Sequence, residues 1–325
     1  MNPKPAFPNV SGYADAAKKR IARQEISCPS KYAIIGIHGI APKPPNCVLR
    51  EYWYKALTDG LLSRTHPGQP LFSLEKRCRE VPYECFELAY WADLLHRPLP
   101  HDTEPYVPLQ RPPPSAEEGS CFAKARKCAS SVLGPCFDTC RATTGSRCTE
   151  VLASKIGHFG DATEYWQSDR QRGRSVTKAQ AIRSTLKTRV ERAVLDGKRV
   201  LILAHSMGSM VAYDVCADLS MAMASKVSLV TLGSPLGSAT VKLNHKTDAL
   251  HVRSWDNFSD LRDPVCYDAF LADDYNGVTD HVVVNDYTCE KGQRTLANSH
   301  KSYGYLRCPE VAEVVKKFID ECNAA

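Results

Sequence analysis

Short apolar runs alternate along most of this chain with segments in which apolar residues recur at helical spacing. The apolar runs predict six strands: Tyr32–Ile40, Cys85–Tyr90, Val200–Leu203, Val227–Leu232, Leu250–Trp255 and His281–Asn285. Helical spacing predicts four main helices: Cys47–Leu62, Val176–Leu195, Ser209–Ala217 and Glu310–Cys322. Buried strands that alternate with helices indicate an α/β fold, with a mostly parallel central sheet flanked by helices. We expect Cys85–Tyr90 to be a central strand of that sheet.

One predicted strand, Val200–Leu203, runs straight into the turn A-H-S-M-G at 204–208 and then into a helix. The small residues Ala204 and Gly208 permit a tight reversal, and the side chain at its apex, Ser206, projects above the sheet. This is the nucleophile-elbow pattern with alanine in the first glycine position, so Ser206 is a candidate nucleophile. The alternative is a buried serine that caps the helix.

A serine nucleophile on such an elbow needs an acid and then a histidine later in the chain. Asp263 is the preferred acid, because Pro264 restricts it to extended geometry and breaks any helix there. Asp263 could instead only open a turn, and the carboxylates of Asp256, Asp260 and Asp268 are alternatives.

His300, in the loop segment N-S-H-K-S-Y-G-Y at 298–305, is the preferred histidine because it alone follows the acid in a loop setting. His245 precedes the acid, and His251 and His281 begin predicted strands. The alternative is that His300 is a solvated surface residue.

The first strand ends in His38-Gly39, where a second oxyanion donor belongs in this arrangement. We expect the backbone N–H of Gly39 or Ile40, together with that of Met207, to hold a tetrahedral oxyanion. His38 itself is interpreted as a hydrogen-bonded structural residue.

With these segments in order, the chain resembles the α/β-hydrolase superfamily on its lipase and esterase side. The resemblance rests on A-H-S-M-G, the early H-G, T-L-G-S-P-L-G at 231–237, R-D-P-V at 262–265 and S-H-K-S-Y at 299–303. It covers roughly residues 31–94 and 176–320, and Leu88–Leu95 and Asn257–Val265 are also similar to an uncharacterised bacterial group of such hydrolases. The resemblance implies nucleophile, acid and histidine at Ser206, Asp263 and His300, with Ala204 as its one departure.

These observations favour a serine hydrolase that cleaves carboxylic esters through an acyl-enzyme intermediate. Phospholipase, thioesterase, amidase and acyltransferase activities on the same triad are alternatives. A further alternative is a catalytically silent fold that serves as a metal- or partner-binding module. The expected partner is a small-molecule or lipid ester substrate, and the chemistry calls for no cofactor and no metal.

Composition and charge narrow the function classes. The formal net charge of +6 is spread along the chain, so nucleic-acid binding has no support, although a weak attraction to anionic lipid surfaces is compatible with it. No Walker loop or dinucleotide fingerprint opens a helix. Because the N-terminus lacks an apolar signal core and no apolar run reaches about 18 residues, we expect a cytoplasmic protein without a membrane span.

The hydrolase pattern is interrupted once. We expect an N-terminal arm at 1–30 and a hydrolase domain at 31–325, which a cap or lid insertion divides at about 94–175. This insertion begins with a proline-rich stretch and carries a cysteine cluster: Cys121, Cys128, Cys136, Cys140 and Cys148. Core thiols in a helical cap, disulfides and a zinc site are the three interpretations.

Overall fold

The computed structural model describes residues 30–65, 81–96, 106–108, 165, 177–242, 250–266, 268–291 and 294–324. Residues 1–29 of the predicted N-terminal arm, His245 and the cysteine cluster lie outside these residues, as does most of the predicted insertion. None of the helices within the described ranges is both long enough and apolar enough to cross a membrane.

A six-stranded parallel sheet forms the centre of the described structure. Its strands are β1 (Tyr32–Ile37), β2 (Phe86–Ala89), β3 (Arg199–His205), β4 (Val227–Leu232), β5 (Ser254–Ser259) and β6 (Val278–Val282). Their order across the sheet is β2-β1-β3-β4-β5-β6, and every neighbouring pair is parallel. The prediction of an α/β fold built on a parallel sheet is therefore confirmed.

Helices cover both faces of the sheet. They are α1 (Asn46–Thr65), α2 (Ala92–Leu95), α3 (Lys178–Leu195), α4 (Met207–Ala217), α5 (Met221–Ala224), α6 (Ala239–Lys242), α7 (Ser302–Leu306) and α8 (Pro309–Ala324). One apolar core lies between the sheet and α1, α7 and α8, and a second lies between the sheet and α3 and α4. A sheet buried on both faces explains why its strands appear in the sequence as continuous apolar runs.

Four strand predictions need correction. β1 ends at Ile37 instead of Ile40. The strand predicted at Cys85–Tyr90 is not central: β2 pairs only with β1 among the described residues, and Tyr83–Cys85 form a 3-10 helix before it. β5 begins at Ser254 instead of Leu250, and β6 ends at Val282 instead of Asn285. An antiparallel hairpin of β7 (Thr288–Lys291) and β8 (Arg294–Ala297), which the apolar pattern does not predict, follows β6.

The carboxyl ends of parallel strands meet at one edge of a sheet, and ligands bind there in folds of this class. The segments that follow β1, β3, β4 and β5 at this edge begin at His38, Ser206, Gly233 and Asp260. The predicted nucleophile, acid and oxyanion segments therefore emerge side by side.

Candidate active site

Ser206 occupies a strained backbone conformation between β3 and α4. Its φ of 57° and ψ of −132° lie in a region that a residue with a side chain rarely adopts, at a typical cost of about 1–3 kcal/mol. Its N–H donates to the Leu232 carbonyl at 3.0 Å, which fixes the turn to the neighbouring strand. Its hydroxyl makes no capping hydrogen bond to α4, so the conformation presents the side chain outward from the turn.

The structure brings Ser206, His300 and Asp263 together in one hydrogen-bonded series. His300 Nε2 lies 3.0 Å from Ser206 Oγ, and His300 Nδ1 lies 2.8 Å from Asp263 Oδ2. The Asp263 side chain is fully buried, while a quarter of the His300 side chain is exposed. The Tyr305 hydroxyl donates to Asp263 Oδ2 at 2.8 Å, and the Val265 N–H donates to Oδ1 at 2.8 Å.

The other candidate carboxylates are engaged elsewhere. Asp260 accepts hydrogen bonds from Arg262 and from the Asn285 N–H. Asp256 lies 2.9 Å from His281 Nε2, and Asp268 accepts from the Phe270 N–H. Within the described ranges, the carboxylate that contacts His300 is that of Asp263.

Gly233 leaves the space that the buried acid occupies. It has a φ of 57°, and a Cβ there would lie 2.7 Å from Asp263 Oδ2 and 2.9 Å from the Tyr305 ring. Any side chain would therefore displace the carboxylate, which accounts for the glycine in the T-L-G-S-P-L-G segment.

The His38-Gly39 segment reaches the serine directly. A Cβ on Gly39 would lie 2.6 Å from Ser206 Cβ and 3.0 Å from its Oγ, so only glycine permits this approach. Among the described groups, the amides of Gly39, Ile40 and Met207 have no hydrogen-bond acceptor. Of these three N–H groups, that of Gly39 belongs to a residue in contact with Ser206, and that of Met207 belongs to the next residue in the chain.

His38 holds this segment in place as a neutral ring. Burial lowers the pKa of His38 to about 3, so the imidazole is uncharged near neutral pH. Its Nδ1 donates to the Gly39 carbonyl at 2.8 Å, and its Nε2 accepts from the Trp91 N–H at 3.0 Å. Trp91 Nε1 also donates to the His38 carbonyl, and the two rings are stacked. This is the geometry of a structural residue.

Three further side chains contact the site but are not predicted from the sequence. Tyr305 binds the acid, and Asn285 Nδ2 donates to the carbonyls of Ser299 and Lys301 on either side of His300. His205 Nε2 lies 2.7 Å from the His300 carbonyl oxygen itself. Tyr305 and His205 lie within the quoted motifs at positions that the motifs leave open, and no pattern signals a buried amide at Asn285.

Three carboxylates outside the Ser206, His300 and Asp263 series lie close enough together to hold a metal ion. Ligand atoms of Asp268, Asp273 and Asp274 lie within 4.8 Å of one another. Lys242 Nζ, however, forms ion pairs with both Asp268 and Asp274. The lysine ammonium occupies the position beside two of the three carboxylates and offsets part of the charge that would attract a cation.

A buried carboxylate, an imidazole and a serine hydroxyl in series can withdraw the hydroxyl proton as the oxygen attacks an electrophile. The unpaired amide N–H groups next to the serine can donate hydrogen bonds to the oxyanion that then develops. No protein-family model matches the chain, and no curated protein matches it either. The chemistry of the site therefore carries the functional argument.

Proposed function

We propose that this protein is a serine hydrolase of the α/β-hydrolase fold that cleaves carboxylic esters. The observation that carries the proposal is the continuous series from Ser206 Oγ through His300 to the buried Asp263 carboxylate. The strained Ser206 backbone supports it, because such strain concentrates at functional positions.

In the proposed reaction, Ser206 Oγ attacks the acyl carbon while His300 Nε2 takes the hydroxyl proton. The carbonyl oxygen becomes an oxyanion and is held by the amides of Met207 and of Gly39 or Ile40. The C–O bond to the alcohol then breaks, and His300 returns the proton to that alcohol as it leaves. A water molecule, deprotonated by His300, hydrolyses the acyl-enzyme in the same way and frees Ser206.

Asp263 acts on the histidine and not on the substrate. Its Oδ2 accepts the Nδ1 proton of His300, which orients the ring and stabilises the imidazolium that forms during attack. Thioesters, amides and phospholipids would use the same atoms with a different leaving group, and acyl transfer would use a different acceptor. Assays on thioester, amide and phospholipid substrates, and with an alcohol acceptor, distinguish these chemistries from ester hydrolysis.

The test is covalent labelling of Ser206 with a fluorophosphonate, followed by assays on a series of p-nitrophenyl esters of increasing acyl length. Wild-type protein should be labelled and should release p-nitrophenol. Ser206→Ala should lose both signals while its thermal midpoint stays within a few degrees, because the substitution removes little packing.

Ser209→Ala is the matched control. Ser209 lies in the first turn of α4, where its hydroxyl donates to the Ala204 carbonyl and not to His300. This variant should keep its label. Persistent labelling of Ser206→Ala would place the nucleophile elsewhere, and an unreactive wild-type protein would favour the catalytically silent alternative.

A further inference from the structure

His205 is covalently next to the proposed nucleophile and occupies the last position of β3. β3 lies between β1 and β4, and His205 is in register with Leu232 of β4. Only 8% of His205 is exposed. Its backbone is therefore fixed by the centre of the sheet.

The His205 ring makes two contacts with His300, the proposed general base. Its Nε2 lies 2.7 Å from the His300 carbonyl oxygen, and the two ring centroids are 4.7 Å apart. The Trp53 ring also meets the His205 ring edge-on, at a centroid distance of 6.4 Å. The imidazole is thus held between the core and the His300 loop.

The protonation state of His205 follows from its surroundings. Burial lowers its pKa well below the usual range, and the nearby His300, Lys43 and Lys301 disfavour a second positive charge. A neutral imidazole has one N–H, and a carbonyl oxygen can only accept. The proton is therefore on Nε2, and His205 donates to His300.

Three consecutive carbonyls of the histidine loop are held in this way. Asn285 Nδ2 donates to the carbonyls of Ser299 and Lys301, both at 2.9 Å, and His205 Nε2 donates to the carbonyl of His300 between them. Asn285 connects the loop to the segment after β6. His205 connects it to the strand that ends at the nucleophile.

We infer that His205 is a positioning residue for the reaction proposed at Ser206: its hydrogen bond to the His300 carbonyl sets the distance between the nucleophile and the general base. The inference rests on the proposed function. A separation of 3.0 Å between Ser206 Oγ and His300 Nε2 is what proton transfer requires, and a displacement near 1 Å can cost roughly a hundredfold in rate.

The experiment compares three variants at His205. His205→Phe keeps an aromatic ring next to Trp53 but removes the donor. His205→Leu also removes the donor and fills the space with a smaller aliphatic side chain, should the phenyl ring not fit. His205→Gln places an amide nitrogen the same number of bonds from Cα as Nε2. Each variant is assayed for p-nitrophenyl ester hydrolysis, for the rate of fluorophosphonate inactivation and for its thermal midpoint.

Phe and Leu should lower kcat and the inactivation rate by roughly tenfold to a hundredfold, with KM within about twofold, because the loss affects proton transfer and not substrate binding. Gln should restore most of both rates. His281→Leu is the control, since His281 is bonded to Asp256 and stacked on Phe258 outside the triad. It should retain the wild-type kcat.

Two results would overturn the inference while leaving the proposed function intact: wild-type rates in folded His205→Phe or His205→Leu, or an equal loss in Gln and Phe, which would assign His205 to packing alone. A wild-type protein that is neither labelled nor active would contradict the proposed function, and the inference would fall with it.

Discussion

At the scale of single residues, the Asp263 carboxylate is the most constrained group in the site. Its side chain is fully buried, and its two oxygens accept from His300, Tyr305 and the Val265 N–H. Burial and hydrogen bonding to Asp263 also raise the pKa of Tyr305, which keeps the phenol as a donor. These hydrogen bonds hold the carboxylate against His300.

Asp263→Asn should lower kcat by about a thousandfold to ten-thousandfold with little change in KM, because the amide favours the wrong histidine tautomer and cannot stabilise an imidazolium. Steady-state hydrolysis of a p-nitrophenyl ester measures both constants. Asp268→Asn is the control: it removes a charge at the same edge, but Oδ1 can still accept from Phe270. A comparable loss at Asp268 would contradict the assignment of the acid.

The chain order of Ser206, Asp263 and His300 can be predicted from sequence because each lies in a turn or loop segment with a recognisable motif. Ser206 is flanked by small residues, and Pro264 marks the acid loop. The contacts of His205, Tyr305 and Asn285 depend on which loops meet in space. A sequence carries no local signal for such meetings, so these residues could not be assigned in advance.

At the scale of elements, the close approach of α4 to β1 aligns the serine turn with the Gly39 segment. A Cβ on Gly208 would lie 2.6 Å from the Ile37 carbonyl oxygen and 2.8 Å from that of His38. Both are backbone atoms, which cannot rotate away as a side chain would. The glycine of the elbow thus sets the helix-to-strand distance.

Gly208→Ala should push α4 away from β1, which should lower kcat/KM by at least about tenfold and destabilise the fold by about 1–3 kcal/mol. Ester kinetics and denaturant unfolding give the two quantities. Gly277→Ala is the control that separates loss of stability from loss of activity. Gly277 has a φ of 81° and open space around it. It should lose about 1–3 kcal/mol through backbone strain alone and keep its activity. Normal kcat/KM in Gly208→Ala would refute the spacing argument.

The shifted positions of β5 and β6 also belong to this scale. The alternation from Leu250 to Trp255 predicts a strand, but β5 continues through the polar residues Asp256 and Asn257. Asn257 is fully buried there because it exchanges hydrogen bonds with Thr231 and Asp280 on the neighbouring strands. A polar residue satisfied across a sheet is invisible to a hydrophobic pattern.

At the scale of the whole molecule, two tyrosines from the predicted insertion pack against opposite faces of the sheet. Tyr106 lies in the core with α1 and α7, where it donates to Asp59 and contacts the Tyr303 ring. Tyr165 lies in the core with α3 and α4, where it donates to Asp214 and accepts from Arg183. These two side chains of the predicted insertion are therefore part of the two apolar cores.

A deletion within the predicted insertion should keep Tyr106 and Tyr165, because their loss would destabilise the two apolar cores. Replacing residues 114–160 with a Gly/Ser linker keeps Tyr106 and Tyr165 and removes none of the described contacts of Ser206, His300 and Asp263. The variant should keep labelling by a small fluorophosphonate and a thermal midpoint near that of the wild type. Extending the deletion to residue 171 removes Tyr165 and should cost about 3–5 kcal/mol, as the loss of a buried aromatic side chain does.

If residues 114–160 form a cap over the site, the shorter deletion should also change substrate preference. A segment that covers an acyl site selects substrates and leaves the chemistry unchanged, so the preference among long-chain p-nitrophenyl esters should change while short esters are cleaved at the wild-type rate. An unchanged preference across the whole series would contradict the cap. Loss of labelling in a folded deletion variant would also contradict the cap. It would show that residues 114–160 help to hold Ser206, His300 and Asp263 in their catalytic geometry.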